Sequence, residues 1–299
     1  MVQVSVIVAT RNRPTQLRRC LDSLARQGYP RDTYEVIVVD DGSECPLDDV
    51  IAPFRDRLQV LLCREQRSGG PGLARNTGAR HARGRWLAFT DDDCEPAEDW
   101  LAALTRSLGS CDGCGVGGTV MNSLTTSLYS SASQLLVTYL YDYFNRDLVD
   151  GVLFASNNLA FPADRFREIG GFDTTYPLTV AEDRVVCVRW RALGGRIVFA
   201  ADAVVRHAHP LTLKTFWRQH FAYGRGAYAY RWVRMQRGAG PVRVEPLAFY
   251  RGLVTCPFAR RLPRAWQLSS LLVLAQVANV CGFLIESLCL HRGRRQPRV

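Results

Sequence analysis

Apolar runs broken by polar turns dominate the first hundred positions. Val4-Ser5-Val6-Ile7-Val8-Ala9-Thr10 is apolar almost throughout, which predicts a strand buried on both faces, and Arg11-Asn12-Arg13-Pro14 reads as the turn that ends it. Leu17, Cys20, Leu21 and Leu24 then recur at helical spacing until Gly28 and Pro30 stop the run. Further strands are expected over Glu35 to Val39, Leu58 to Cys63 and Trp86 to Thr90, with a helix from Leu73 to Ala82. Unbroken apolar strands separated by single helices indicate an α/β fold: a single Rossmann-like, mostly parallel sheet flanked by helices. Ligands of such sheets bind beyond the carboxyl ends of the strands. Three of these ends carry polar clusters.

From Gly115 the pattern is mixed. Val116 to Met121 and Leu159 to Phe161 read as short strands around the amphipathic run Leu128 to Phe144. Val185 to Leu193 is helical, Ile197 to Val205 is a strand leading to His207, and the chain after Leu213 is helical and aromatic-rich. With no repeat or low-complexity linker, one domain over residues 1–240 and a basic, apolar helical extension over 241–299 are expected, divided near Gly238-Ala239-Gly240-Pro241. Trp266 to Leu290 has the length of a membrane span, but Gln267, Gln276, Asn279 and Glu286 interrupt it, and a carboxylate is expensive in lipid. Two readings stay open. One is a helix lying in a membrane interface between Arg260, Arg261, Arg264 and Arg292 to Arg298; the other is a helix packed on the domain or on a second subunit.

Composition narrows this modestly. With 47% hydrophobic and 22% charged residues among 299, the chain is globular, neither disordered nor collagenous. A net charge of +10 favours an acidic partner, yet no nucleic-acid-binding motif accompanies it, so nucleic acid is excluded as the partner. Eight arginines from Arg251 onward face the single acid Glu286, which concentrates the positive charge in the extension. The first residues show no basic segment followed by an apolar one, so no secretory signal is expected, and the setting is cytoplasmic or at the inner face of the membrane. Cys111-Asp112-Gly113-Cys114 has no second pair near it and reads as two incidental thiols.

The chemistry sits at the strand ends. Asp91-Asp92-Asp93 follows an apolar strand, and three adjacent acids repel unless a cation sits among them; hard divalent ions are commonly shared between carboxylates and substrate phosphates. A solvated turn or helix cap explains the same residues. Asp40-Asp41-Gly42-Ser43 is either an acceptor for a base or ribose or an ordinary Asp-Gly turn.

Thr10-Arg11-Asn12-Arg13, Asp40-Asp41-Gly42-Ser43, Gly72-Leu73-Ala74-Arg75-Asn76 and Phe89-Thr90-Asp91-Asp92-Asp93, in this order, resemble the family 2 glycosyltransferases over about residues 3 to 235. The resemblance implies the GT-A fold, with a nucleotide-sugar half over about 1–115 and an acceptor half over about 116–240. It implies a nucleoside-diphosphate sugar donor and Mn2+ or Mg2+. Asp40 or Asp41 then contacts the base or ribose, Thr10, Arg13 and Arg75 surround the nucleotide, Asp91 and Asp92 lie on the donor side, and Asp93 binds the metal.

The run from Gly170-Gly171-Phe172-Asp173 to Glu182-Asp183 resembles the family's acceptor-side motif, which makes Asp183, with Glu182 beside it, the catalytic pair: a base that deprotonates the acceptor hydroxyl, with inversion at the sugar. An acidic start to the following helix is the other explanation. His207 completes the metal site in many relatives, with His209 as the competing imidazole. Arg218 and Arg225, in an aromatic and cationic segment, could clamp the diphosphate. That segment lacks the Gln-x-x-Arg-Trp motif of processive polymerases, so transfer of one or a few sugars is expected. Ser156-Asn157-Asn158 either faces the acceptor or forms a polar turn.

The expected acceptor is a carbohydrate or lipid-linked hydroxyl, in polysaccharide or glycolipid synthesis. Peripheral membrane contact through 260–299 and a homo-oligomer are further options. A silent nucleotide-sugar-binding protein and a sugar nucleotidyltransferase are the rivals. The second usually has a glycine-rich loop after its first strand, which Thr10-Arg11-Asn12-Arg13 is not.

Overall fold

In the computed structural model of the chain, Val4–Thr10 (β1) is buried along nearly its whole length, as its unbroken apolar run requires. The structure describes residues 1–145, 153–174, 182–236 and 245–291. Pro14–Leu24 (α1) starts on a proline, whose fixed φ suits a first helical turn, and lays Leu17, Cys20, Leu21 and Leu24 on the sheet. Tyr34–Asp40 (β2), Asp48–Ile51 (α2), Val60–Arg64 (β3), Pro71–His81 (α3) and Trp86–Asp91 (β4) follow, then Cys94–Pro96 (β5), Trp100–Ser110 (α4) and Gly115–Asn122 (β6). Next come Leu128–Phe144 (α5), Leu159–Pro162 (β7), Ala163–Glu168 (α6), Glu182–Ala192 (α7) and Ile197–His207 (β8). Three helices complete the order: Leu213–Gln236 (α8), Leu247–Ala259 (α9) and Ala265–His291 (α10).

The strands form one sheet in the order β3-β2-β1-β4-β7-β6-β8-β5. Its first four strands are parallel, as expected. Beyond them two strands are reversed: β7 runs antiparallel to β4 and β6, and β5 antiparallel to β8, while β6 and β8 keep the direction of the first four, so the sheet is mostly parallel, as expected. Apolar periodicity reports burial, not direction, and Leu159-Ala160-Phe161, covered on both faces, reads like a parallel strand. β5 is too short for any periodicity.

Two compact units share these elements. Met1–Ser123, Phe144–Thr174 and Glu182–Ala208 build the sheet unit, whose core joins β1, β2, α1 and α4 through residues such as Val6, Val36, Leu21, Trp100 and Leu104. Leu124–Tyr143 and the chain from His209 onward build a helical unit around Leu135, Leu136, Phe216, Leu253, Leu271 and Leu272. The expected boundary at Gly238 to Pro241 and the arginines from 292 to 298 lie outside the described residues.

Two small expectations change. Cys111 and Cys114 are bonded to each other rather than free. Asn158 is a buried structural clamp: its amide nitrogen donates to Thr119 O at 2.9 Å and Ala203 O at 2.8 Å, and its oxygen accepts the Trp100 indole N–H at 2.9 Å.

Candidate active site

Strand register assembles the site. Thr10 pairs with Asp40, and Ala9 pairs with Asp91, so the ends of β2, β1 and β4 present their polar clusters side by side at the carboxyl edge of the sheet. The turn after β2 needs Gly42: its φ is +71°, and a Cβ there would lie 2.9 Å from the Ser68 backbone nitrogen. Asp40, nearly fully buried, accepts the Ser43 N–H at 2.8 Å. Asp41 accepts from Ser68 Oγ at 2.7 Å and from the Gly69 and Gly70 N–H groups at 2.8 and 3.1 Å. Both acids therefore shape the loops leading into the site, and Asp41 fixes the start of α3.

The acids at the end of β4 each have a different environment. Asp92 is buried; it accepts from Thr10 Oγ1 at 2.7 Å and meets Arg13 Nη1 at 3.2 Å. Burial pushes its carboxyl up to about 6 despite the Thr10 bond and the Arg13 charge. Asp93 meets the same Arg13 nitrogen at 3.0 Å through Oδ2, and its Oδ1 faces His207 Nε2 at 3.2 Å. The pairing of β5 with the end of β8 makes this possible, since it sets Cys94 opposite His207. Asp93, Cys94 and His207 have their ligand atoms within 4.8 Å of one another. Burial opposes protonation of His207, but its bond to Asp93 and that carboxylate's charge prevail and raise its pKa.

Asp91 belongs to a separate arrangement. Arg75 on α3 is almost fully buried and extends Nη2 to Asp91 Oδ1 at 2.6 Å and Nη1 to Glu182 Oε1 at 3.1 Å, with its guanidinium over the Phe172 ring. One planar fork thus ties the acid that ends β4 to the first residue of α7. Asp183 follows, its Oδ1 accepting the Arg184 N–H at 2.7 Å. Burial, reinforced by the neighbouring charge of Glu182, pushes Asp183 up to about 7, against the pull of the Arg184 N–H and Arg75.

Thr10, Arg13, Asp40, Asp41, Arg75, Asp91, Asp92, Asp93, Glu182, Asp183 and His207 all lie in the sheet unit. Arg218 and Arg225 belong to the helical unit, where Arg218 is exposed and Arg225 Nε bonds the buried Glu286 at 2.6 Å. His209 also lies there, its Nε2 against Gln219 Oε1 at 2.7 Å. The sequence pattern missed the bridging role of Arg75. Its place in α3, one turn into a helix behind a Gly/Pro loop, was the available signal, but nothing in spacing pairs it with Glu182.

A hard carboxylate oxygen and an imidazole nitrogen facing each other suit a divalent ion such as Mn2+ or Mg2+, so Asp93 and His207 fit the expected metal.

Known proteins resemble this chain in sequence and in fold. The model of glycosyl transferase family 2 matches residues 5–161, and that of glycosyl transferase family group 2 matches residues 91–289. Glycosyltransferase AglE of Haloferax volcanii is 32% identical over 212 residues, 64% of this chain and 68% of that protein. The pre-mycofactocin glycosyltransferase of Mycobacterium tuberculosis is 29% identical over 75% of this chain, which spans only 46% of that relative. Among solved structures, the mannosyltransferase PcManGT from Pyrobaculum calidifontis in complex with GDP-Man and Mn2+ superposes with a TM-score of 0.63 at 22% identity, over 98% of this chain and 79% of that one. Staphylococcus aureus TarS in complex with UDP-GlcNAc gives 0.58 at 16% identity, over 98% and 92%. These likenesses show the GT-A fold. Strand-end acids, their order along the chain and a family match over more than half of its length lead to one conclusion: the chain belongs to glycosyl transferase family 2.

Proposed function

We propose that the protein transfers a sugar, with inversion, from a nucleoside diphosphate to an acceptor hydroxyl, one or a few residues at a time. The observation that carries this reading is the Arg75 bridge, which joins the Asp91 cluster to the Glu182-Asp183 pair in one sheet-edge site. The nucleotide sugars held by the two structural neighbours support the donor class.

Asp183 is the base. A carboxylate poised near neutrality can take the acceptor proton and still be ionised at the start of the reaction. As the acceptor oxygen bonds to the anomeric carbon, the bond from that carbon to the phosphate oxygen breaks, its electron pair leaves with the nucleoside diphosphate, and the proton goes to Asp183. Asp93 and His207 would hold a divalent cation, which when bound supplies positive charge for the leaving diphosphate. Arg13 would complement it from the other side of Asp93, half-exposed and already matched to two carboxylates through one nitrogen. Asp40 and Asp41 keep the nucleotide-side loops in shape.

Nucleotide release from a panel of UDP-, GDP-, TDP- and CMP-sugars, with Mn2+ or Mg2+, tests the reading. Release from one donor, abolished by EDTA and by Asp93→Ala, is the expected result. Binding of a nucleoside diphosphate without release from any donor, even with hydroxyl acceptors present, would instead establish a silent binding protein.

A further inference from the structure

Within the helical unit, α10 divides its side chains sharply. Leu268, Leu271, Leu272, Ala275 and Ala278 turn into the unit. The polar residue that speaks most strongly against lipid contact turns inward too: Glu286 is fully buried and bonded to Arg225 of α8. The two helices meet backbone to backbone there. A Cβ on Gly224 would lie 1.9 Å from Asn279 O, and one on Gly282 would lie 2.0 Å from Phe221 O.

The outer face is the converse. From Val273 to Cys289 every exposed side chain is apolar: Val273, Val277, Val280, Leu284, Ile285 and Leu288. Steps of three and four residues place them on one stripe about 22 Å long. At its head Trp266 is 78% exposed and packs edge-on against the exposed Phe258 of α9. Arg261 and Arg264, both exposed, lie between Phe258 and Trp266 in the sequence, and four more arginines follow α10.

We propose that this stripe lies in the headgroup region of an anionic lipid bilayer, parallel to its surface, with Arg261 and Arg264 on lipid phosphates and Trp266 and Phe258 at the polar boundary. α10 is long and apolar enough to cross a membrane. Its packing on α8, which carries the exposed Lys214 and Arg218, fits lying on the surface rather than spanning it. A second copy fits the stripe less well. A two-fold axis along α10 sets the exposed Arg261 and Arg264 beside their own copies, so like charges meet there. Anionic lipid complements these exposed arginines instead. This inference does not depend on the transfer chemistry.

Flotation of the full chain with phosphatidylcholine vesicles, with and without phosphatidylglycerol, decides it. Co-flotation with the anionic vesicles, weakened by salt, is expected. Arg261→Gln and Arg264→Gln should each weaken binding about fivefold. Val277→Asn combined with Leu284→Asn should abolish flotation and leave the melting temperature unchanged, since both side chains are exposed. Absence of wild-type flotation on anionic vesicles overturns the proposal, as does undiminished flotation of the double variant. A stable dimer in vesicle-free solution that the same two substitutions dissolve gives the stripe to a second copy instead.

Discussion

Asp183 carries a conflict between stability and chemistry that can be measured. Its carboxyl is held near 7 in the fold but titrates near 3.8 in the unfolded chain, so the folded state binds its proton more tightly. That preference stabilises the fold below about pH 4 and is lost progressively as pH rises through 7. At pH 8 the ionised group is a burden, and Asp183→Asn should raise stability by roughly 1–2 kcal/mol, a fraction of the full conversion of the shift because the side chain is only half-buried. Melting curves of the two proteins should therefore diverge at pH 8 and converge at pH 4.5. The same substitution removes the base and should lower kcat by about 10²–10⁴ while donor binding persists. In the wild type, kcat/KM should climb tenfold per pH unit below about 7 and level off above it. A profile flat from pH 5.5 to 8 would take the proton-accepting role away from this residue.

Connections between elements explain what was legible beforehand and what was not. The parallel half of the sheet follows from unbroken apolar runs, and Asp40, Asp41 and Asp91 to Asp93 could be placed at strand ends because each run stops where its acids begin. Two features left no such trace. β5 is three residues long, yet its pairing with β8 is what brings His207 to Asp93. Asn158 sits in a polar triplet resembling any turn, and its partners on β6, β8 and α4 are set by sheet order alone. Replacing Asn158 with Ala should leave two carbonyls and an indole N–H unpaired in the core and cost about 2–4 kcal/mol, read as a lower denaturant midpoint with an unchanged slope.

Arg75 makes the same point for the site. Arg75→Lys retains the charge, but a single ammonium cannot span Asp91 and Glu182 as the planar fork does. It should lower kcat by one to two orders of magnitude with a small change in donor KM, because α7 and its base lose their tie to β4. A KM effect with kcat intact would mean that Arg75 contacts the donor instead.

The site gathers segments from nearly the whole of the sheet unit, from Thr10 at the end of β1 to His207 at the end of β8. Ligands that engage it should therefore stabilise the folded chain globally, by an amount set by affinity and concentration. Without ligand, the negative charge of Asp91, Asp92 and Asp93 is met by Arg13, Arg75 and His207. A nucleoside diphosphate alone brings more negative charge to this edge, and a divalent ion alone must compete with Arg13 for Asp93. Together each supplies what the other lacks, and linkage requires the gain to be mutual. Thermal shifts with Mn2+ alone and with the nucleoside diphosphate alone should be small, and the shift with both should exceed their sum by several degrees. Asp93→Ala should erase the excess while leaving the weak diphosphate shift in place. Equal diphosphate shifts in Mn2+ and in EDTA would remove the cation from donor binding and leave Arg13 as the group that meets the phosphates.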